Sequence, residues 1–272
     1  MDIYQTLSRF YKTTQIPKCI IGKSVLGRNI YAFKVGNGNP VGIAQYGIHG
    51  REYITAKLAL RHLEMGVAQG TLWFLPLTNP DGALLSQMGL DSVKNTALKY
   101  KLIQINGGDN FSLWKANIRG VDLNVNFDAK WGKGKQNVYI PSSENYVGIK
   151  PFSEIETRVL KKFTLEISPD YTVSYHTKGE EIYWYFYQSM RTCPRDKRLA
   201  VILSKSTSYP LSYAKGSVGG YKDWCIQTLK IPSFTIEVGA DAYPHPLGEN
   251  ALPDIIKKNE NALYELSKNF YY

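Results

Sequence analysis

Cysteine is scarce: the 272 residues contain only Cys19, Cys193 and Cys225, odd in number and far apart. That excludes a disulfide framework and a CxxC zinc site, and fits free thiols in a reducing compartment. No apolar run reaches the roughly 18 residues that a membrane-spanning helix needs. The opening stretch, MDIYQTLSRFYKTTQIPKC, lacks an apolar h-region and a small-residue cleavage site. Cytoplasmic residence is therefore expected. Low-complexity tracts, repeats and Gly/Ser linkers are missing too, which predicts one domain over residues 1–272. Histidine is also scarce, leaving four candidates for imidazole chemistry: His49, His62, His176 and His245.

What is present is a basic, globular composition. The formal net charge is +10, and 43% of residues are hydrophobic, enough for a sizeable core at a mean hydropathy of -0.28. A basic balance can signal nucleic acid or an anionic polymer. Here the cations are scattered, and the densest run, RTCPRDKR at 191–198, reads as a loop and helix start. A solvated surface accounts for it, so neither a nucleic-acid nor a membrane partner is expected.

Two strands around the turn GKSVLGR are expected over 18–36, then a strand at 41–47, a helix at 51–65 and a strand at 71–77. TNPDG reads as a turn after that strand. Residues 83–150 look irregular and too long for an ordinary connection, a pattern that usually carries function. Ser153 and Glu156 suggest a capping box for the next helix. The strand DYTVSYH, the aromatic strand EIYWYFY, helices near 195–208 and 221–229, the strand SFTIEV and a helix at 252–269 follow. Apolar strands alternating with helices predict an α/β fold, a mixed sheet with helices on both faces. Ligands in such sheets sit beyond the carboxyl ends of strands, where His49, His176 and Glu237 fall.

Hydrolytic zinc takes three His or carboxylate ligands and keeps a position for water. His49 and Glu52 stand three apart where a loop enters a helix, but the pair alone leaves two readings open. It is either two metal ligands, or a helix-start Glu favoured by the macrodipole beside an unrelated turn histidine. His176, at the end of an apolar strand, supplies a third ligand candidate. His62, assigned to the outer face of a helix, and His245, in the loop YPHPL, read as structural or surface residues. Glu237 is a lone carboxylate in an apolar strand, a costly place without a task, and suits the base that a zinc-activated water requires. NIRGVDLNVNF offers Arg119 for an oxyanion, Asp122 to orient a ligand histidine, and Asn124 for substrate.

Taken together, His49-x-x-Glu52, TNPDG, RGVDLN, His176 after an apolar strand and FTIEVG resemble the zinc carboxypeptidase family in order and spacing. GKSVLGR and GGYKDW resemble it as well, and the match runs from about residue 20 to 250. The resemblance implies one Zn2+ on His49, Glu52 and His176, Glu237 as general base and acid, and Arg119 polarising the scissile carbonyl. It also implies a single α/β domain with an eight-stranded mixed sheet. One departure stands out. Where the family has Asn-Arg-Asn, whose Arg clamps the substrate carboxylate, this chain has Asn124-Val125-Asn126.

SYHTKGEEIYWYF, GGYKDW and EVGADAYPHPL are similar to bacterial γ-D-glutamyl-meso-diaminopimelate peptidases. That implies hydrolysis of the γ-D-glutamyl bond in peptidoglycan stem peptides. Lys222 and Lys178 are then candidates to meet a substrate carboxylate, and Tyr213 for the substrate tyrosine. The competing readings are a carboxypeptidase for ordinary C-terminal L-amino acids, which the missing Arg disfavours, and a non-catalytic cell-wall-binding protein on the same fold.

Overall fold

The run Val41–Tyr46 (β3) lies at the centre of an eight-stranded sheet, because nearly every residue in it is buried. The computed structural model describes residues 1–214 and 216–271. Before and after β3 come β1 (Lys18–Lys23), β2 (Asn29–Asn37) and β4 (Gly70–Leu75). Then follow β5 (Tyr171–His176), β6 (Glu181–Tyr183), β7 (Leu211–Ser212) and β8 (Ser233–Glu237). The spatial order is β1-β2-β4-β3-β5-β8-β6-β7. β4, β3, β5 and β8 run parallel, whereas β1–β2, β2–β4 and β6–β8 are antiparallel. The expected mixed eight-stranded α/β sheet is thus the observed one.

Alternate residues of the central strands feed two cores, as the two-residue period of a strand requires. Ala44, Tyr46, Val173, Tyr175, Phe234 and Ile236 pack on one face under the helices at Ile3–Thr13, Thr55–Met65 and Cys193–Thr207. Ile43 and Leu75 pack on the other with Leu160, Tyr221 and Trp224. A third cluster, with Trp114 at its centre beside Leu85, Leu102 and Ile118, belongs to the excursion between β4 and β5. That excursion is less irregular than its composition suggests, since it contains helices at Pro80–Met88 and Thr96–Asn106.

Several local expectations are corrected by long-range contacts. TNPDG is a helix start: Asn79 caps the helix and Pro80 occupies its first turn. The Ser153/Glu156 capping box does not form. Ser153 Oγ donates to Glu154 Oε1, and the Glu156 carboxyl accepts from Val25 N and Asn117 Nδ2. Only Glu181–Tyr183 of the aromatic run stays in the sheet, and the C-terminal helix breaks into Leu252–Asn259 and Ala262–Lys268. His62 faces inward, because those terminal helices cover it. Its Nδ1 lies 2.6 Å from Tyr46 Oη and its Nε2 2.9 Å from Asn259 O. Burial pushes its pKa down to about 4, so it stays neutral.

Asn79 joins this frame to the loop that carries His49. Its Oδ1 accepts from Gly82 N, while its Nδ2 donates to Ile48 O and Ala116 O at 3.1 and 3.0 Å. Asn79→Ala removes the cap and strands two buried carbonyls. The expected loss is about 2–5 kcal/mol of unfolding free energy. Urea unfolding that shows a loss below about 1 kcal/mol, the level of a cap alone, would contradict this role.

Candidate active site

Two features of the backbone assemble the site. After β3 the chain runs through Gly47 and Ile48 to His49 and a tight helical turn at Gly50–Glu52. A Cβ at Gly50 would stand 2.5 Å from Gly82 O and 2.7 Å from Trp114 O, so only glycine lets the backbone pass there. The second feature is parallel register, which pairs His176 at the end of β5 with Glu237 at the end of β8. The two side chains are therefore neighbours at the carboxyl edge of the sheet.

His49, Glu52 and His176 converge there, all buried, with one ligand atom from each lying within 4.8 Å of the others. His49 Nδ1 is 2.9 Å from Glu52 Oε1, and His176 Nδ1 is 3.0 Å from Glu52 Oε2 and 3.1 Å from His49 Nδ1. Two imidazole nitrogens and a carboxylate aimed at one point form a donor set that zinc accepts. Burial alone would lower the His49 pKa, but Glu52 and Asp122 outweigh it and raise it. For Glu52, burial pushes upward, while the two histidines hold the carboxyl well below its usual range. The group therefore keeps its anionic ligand ionised at neutral pH.

Asp122, wholly buried, supports this group from behind. Its Oδ1 faces His49 Nε2 at 3.2 Å, and its Oδ2 lies 3.0 Å from Lys115 Nζ. It also accepts from Asn124 N and Asn145 N. A carboxylate against Nε2 favours the proton on that nitrogen and leaves the Nδ1 lone pair for a metal. Lys115 overcomes its own desolvation through Asp122 and Glu52, and its pKa is raised. Its charge reaches Glu237 too, where it opposes protonation. Glu237 is nevertheless pushed up to about 7, first by desolvation, with Glu52 and Glu181 adding to it against His176 and Lys115.

A cavity of about 230 Å³ opens beside Glu237, lined also by Asn124, Lys222, Asp223, Tyr183 and Thr235. Lys222 Nζ lies 2.5 Å from Asp223 Oδ1 and donates to Tyr185 O at 3.3 Å, so a buried ion pair forms part of the wall. Asn124 Oδ1 accepts from Tyr221 N. The remaining candidates are not among the residues that line this cavity. Arg119 is 56% exposed and faces Glu154 at 3.8 Å, because it sits in a turn closed by Gly120 N donating to Asn117 O. Lys178 Nζ donates to Asp241 O at 2.6 Å. Tyr213 is exposed and opens on a neighbouring cavity.

Two charged residues at the site escape the sequence argument, Lys115 and Asp223. Lys115 precedes Arg119 by four positions in the same segment. Its neighbours Trp114 and Ala116, both apolar and buried, are the signal that this part of the loop turns inward.

A family model described as zinc carboxypeptidase matches residues 3–262, and the chain belongs to that family. It is 34% identical over 249 residues to γ-D-glutamyl-L-diamino acid endopeptidase 1 of Lysinibacillus sphaericus, which covers 84% of this chain. The chain spans only 62% of that relative's length. Murein peptide amidase A of Escherichia coli strain K12 is 26% identical over 241 residues, covering 82% of this chain and 84% of its own length. The fold is similar to that in the structure of bovine thrombin-activatable fibrinolysis inhibitor in complex with tick carboxypeptidase inhibitor. There the TM-score is 0.81 at 18% identity, with 99% and 97% of the two chains covered.

Zinc added to metal-free protein should raise the melting temperature. The stabilisation expected at a hundredfold excess over Kd is about 2.7 kcal/mol. His176→Ala should abolish the shift; a zinc-dependent shift of unchanged size in that variant would remove His176 from the ligand set.

Proposed function

We propose that this member of the zinc carboxypeptidase family hydrolyses the γ-D-glutamyl–meso-diaminopimelate bond of peptidoglycan stem peptides. The observation that carries the reading is one small cavity shared by Glu237, held near neutrality, and the buried Lys222–Asp223 pair. A diamino acid with a second amino-acid centre ends in an ammonium and a carboxylate, and the pair offers a partner of opposite sign for each. Two relatives bear names that fit, a γ-D-glutamyl-L-diamino acid endopeptidase and a murein peptide amidase.

His49, Glu52 and His176 would hold one Zn2+, and a bound zinc would supply a Lewis acid for the scissile carbonyl and acidify water. Glu237 takes the proton of the attacking water and passes it to the leaving amine, as a carboxyl with a pKa near 7 can do in both directions. Arg119 polarises the scissile carbonyl, and Lys115, paired with Asp122 behind His49, adds positive charge to the same site. Asp122 holds His49 and Lys115 in register, and Asn124 faces the substrate from the cavity wall. Lys178 and Tyr213 belong to the periphery of substrate binding. We assign all of residues 1–272 to one peptidase domain, with a peptide substrate and neither a nucleic-acid nor a membrane partner. No helix among the described residues is long and apolar enough to cross a membrane. With the three cysteines unpaired, we place the chain in the cytoplasm.

Phenanthroline should abolish turnover of L-Ala-γ-D-Glu-meso-diaminopimelate, and zinc should restore it. Full activity in the chelated protein would overturn the mechanism. Arg119→Met should lower kcat by about 10²–10³ with little change in KM; an unchanged kcat in that variant would remove Arg119 from the mechanism.

Glu237→Gln should lower kcat by at least about 10² and also change stability with pH. The folded carboxyl titrates near 7 and the unfolded one near 4.5. The native state therefore binds the proton more tightly, and wild-type stability falls as pH rises between those values. Glu237 lines an open cavity, where water tempers the penalty. In metal-free protein the Gln variant should match wild type below about pH 5 and exceed it by about 1–3 kcal/mol at pH 8. Parallel denaturation curves at the two pH values measure this difference.

A further inference from the structure

Val125 leaves open which group meets a carboxylate on the leaving half of the substrate. The loop that follows it answers from a distance. Phe127 N donates to Gly219 O and Lys135 N donates to Gly216 O, both at 2.9 Å. These bonds clip the 127–135 loop to the 216–220 loop, and the latter packs on the Val125 backbone, since a Cβ at Gly219 would stand 3.1 Å from Val125 O. The aliphatic stem of Lys135 lies against Gly216, where a Cβ would meet Lys135 Cδ at 2.6 Å. The lysine is thereby anchored along its length while its ammonium stays accessible.

Lys135 stands where two further cavities meet. One, of about 170 Å³, is lined by Val125, Asn137 and Asn145. The other, of about 590 Å³, is lined by Lys130, Lys133, Tyr185 and Tyr213. Both share Lys135, Gly216 and Ser217, and Ser217 also borders the cavity of Glu237. Lys130 lies over the Tyr187 ring, 3.0 Å from its centroid. Among the described residues no carboxylate stands within ion-pair distance of Lys130, Lys133 or Lys135, although most other buried or half-buried cations near the site have one. Three uncompensated cations around one hollow that shares Ala214 and Ser217 with the cavity of Glu237 form a field that concentrates anions.

We propose that Lys135, with Lys133 and Lys130 beside it, forms an anion subsite for a carboxylate on the leaving, C-terminal side of the substrate. It performs at the neighbouring loop the task that Val125 cannot perform in place. The proposal rests on the peptidase reading for the direction of the substrate, but binding of an anionic product tests it without turnover.

The zinc-loaded full chain is titrated calorimetrically with meso-diaminopimelate and with its diamide. Kinetics are measured in parallel on L-Ala-γ-D-Glu-meso-diaminopimelate. Lys135→Met combined with Lys133→Met should weaken the diacid about ten-fold and raise KM to match, with kcat nearly unchanged and the diamide unaffected. Both side chains are exposed, so the fold should survive, which the melting temperature checks. Diacid affinity and KM within about two-fold of wild type in the double variant would overturn the subsite. So would wild-type protein that binds diacid and diamide equally, or neither. If the wild type leaves the tripeptide uncut but loses diacid affinity in the double variant, the subsite stands and the assigned reaction falls.

Discussion

The contact on which the site depends is the buried carboxylate of Asp122. It faces His49 and Lys115 and accepts from the backbone amides of Asn124 and Asn145. A charge that deep is tolerated only when its lone pairs are filled and opposite charge is close. That requirement brings four separate stretches of chain to one point. The neighbouring backbone bonds serve the same end: Gly50 N to Lys115 O, Lys115 N to Ser143 O and Asp122 N to Tyr146 O. Together they fasten the excursion between β4 and β5 over the carboxyl edge of the sheet, and this excursion carries its own small core around Trp114.

Around Asp122 the charges follow one logic. Glu52 is held ionised by two histidines, and Lys115 is held protonated by two carboxylates. Glu237 alone is pushed toward neutrality, because its desolvation and the nearby carboxylates outweigh His176 and Lys115. Carboxyl groups whose surroundings drive their titration apart can divide ligand and proton-transfer roles between them. The arrangement keeps Glu237 at some cost to the metal-free fold, a common exchange of stability for function.

How much of this was legible in the sequence differs residue by residue. His49, His176 and Glu237 drew notice because each stands at the end of an apolar run, where a polar residue needs a reason, and Glu52 because of its spacing from His49. The alternation of strands and helices was readable for a similar cause, since burial on both faces leaves a continuous apolar run. Lys115 stayed hidden because a cation in a loop looks like any other in sequence, and only its pairing with the buried Asp122 marks it. His62 looked solvent-facing because its cover, the helices at 252–268, lies about 190 positions further along. The Ser153/Glu156 pattern failed for the same reason, as Glu156 found partners at Val25 and Asn117 rather than in its own helix.

By itself the sequence determined the class of fold, the order of the central strands' polar ends, and the donor set of two histidines and a glutamate. These depend on local pattern and on which donor atoms a side chain carries, and neither requires contacts between distant segments. Tertiary structure alone decided that Lys115 pairs with the buried Asp122 behind His49. It also set Glu237 near neutrality and brought Lys135 next to the gap left at Val125. Each of these is a matter of direction and dielectric, set by contacts between segments far apart in the chain.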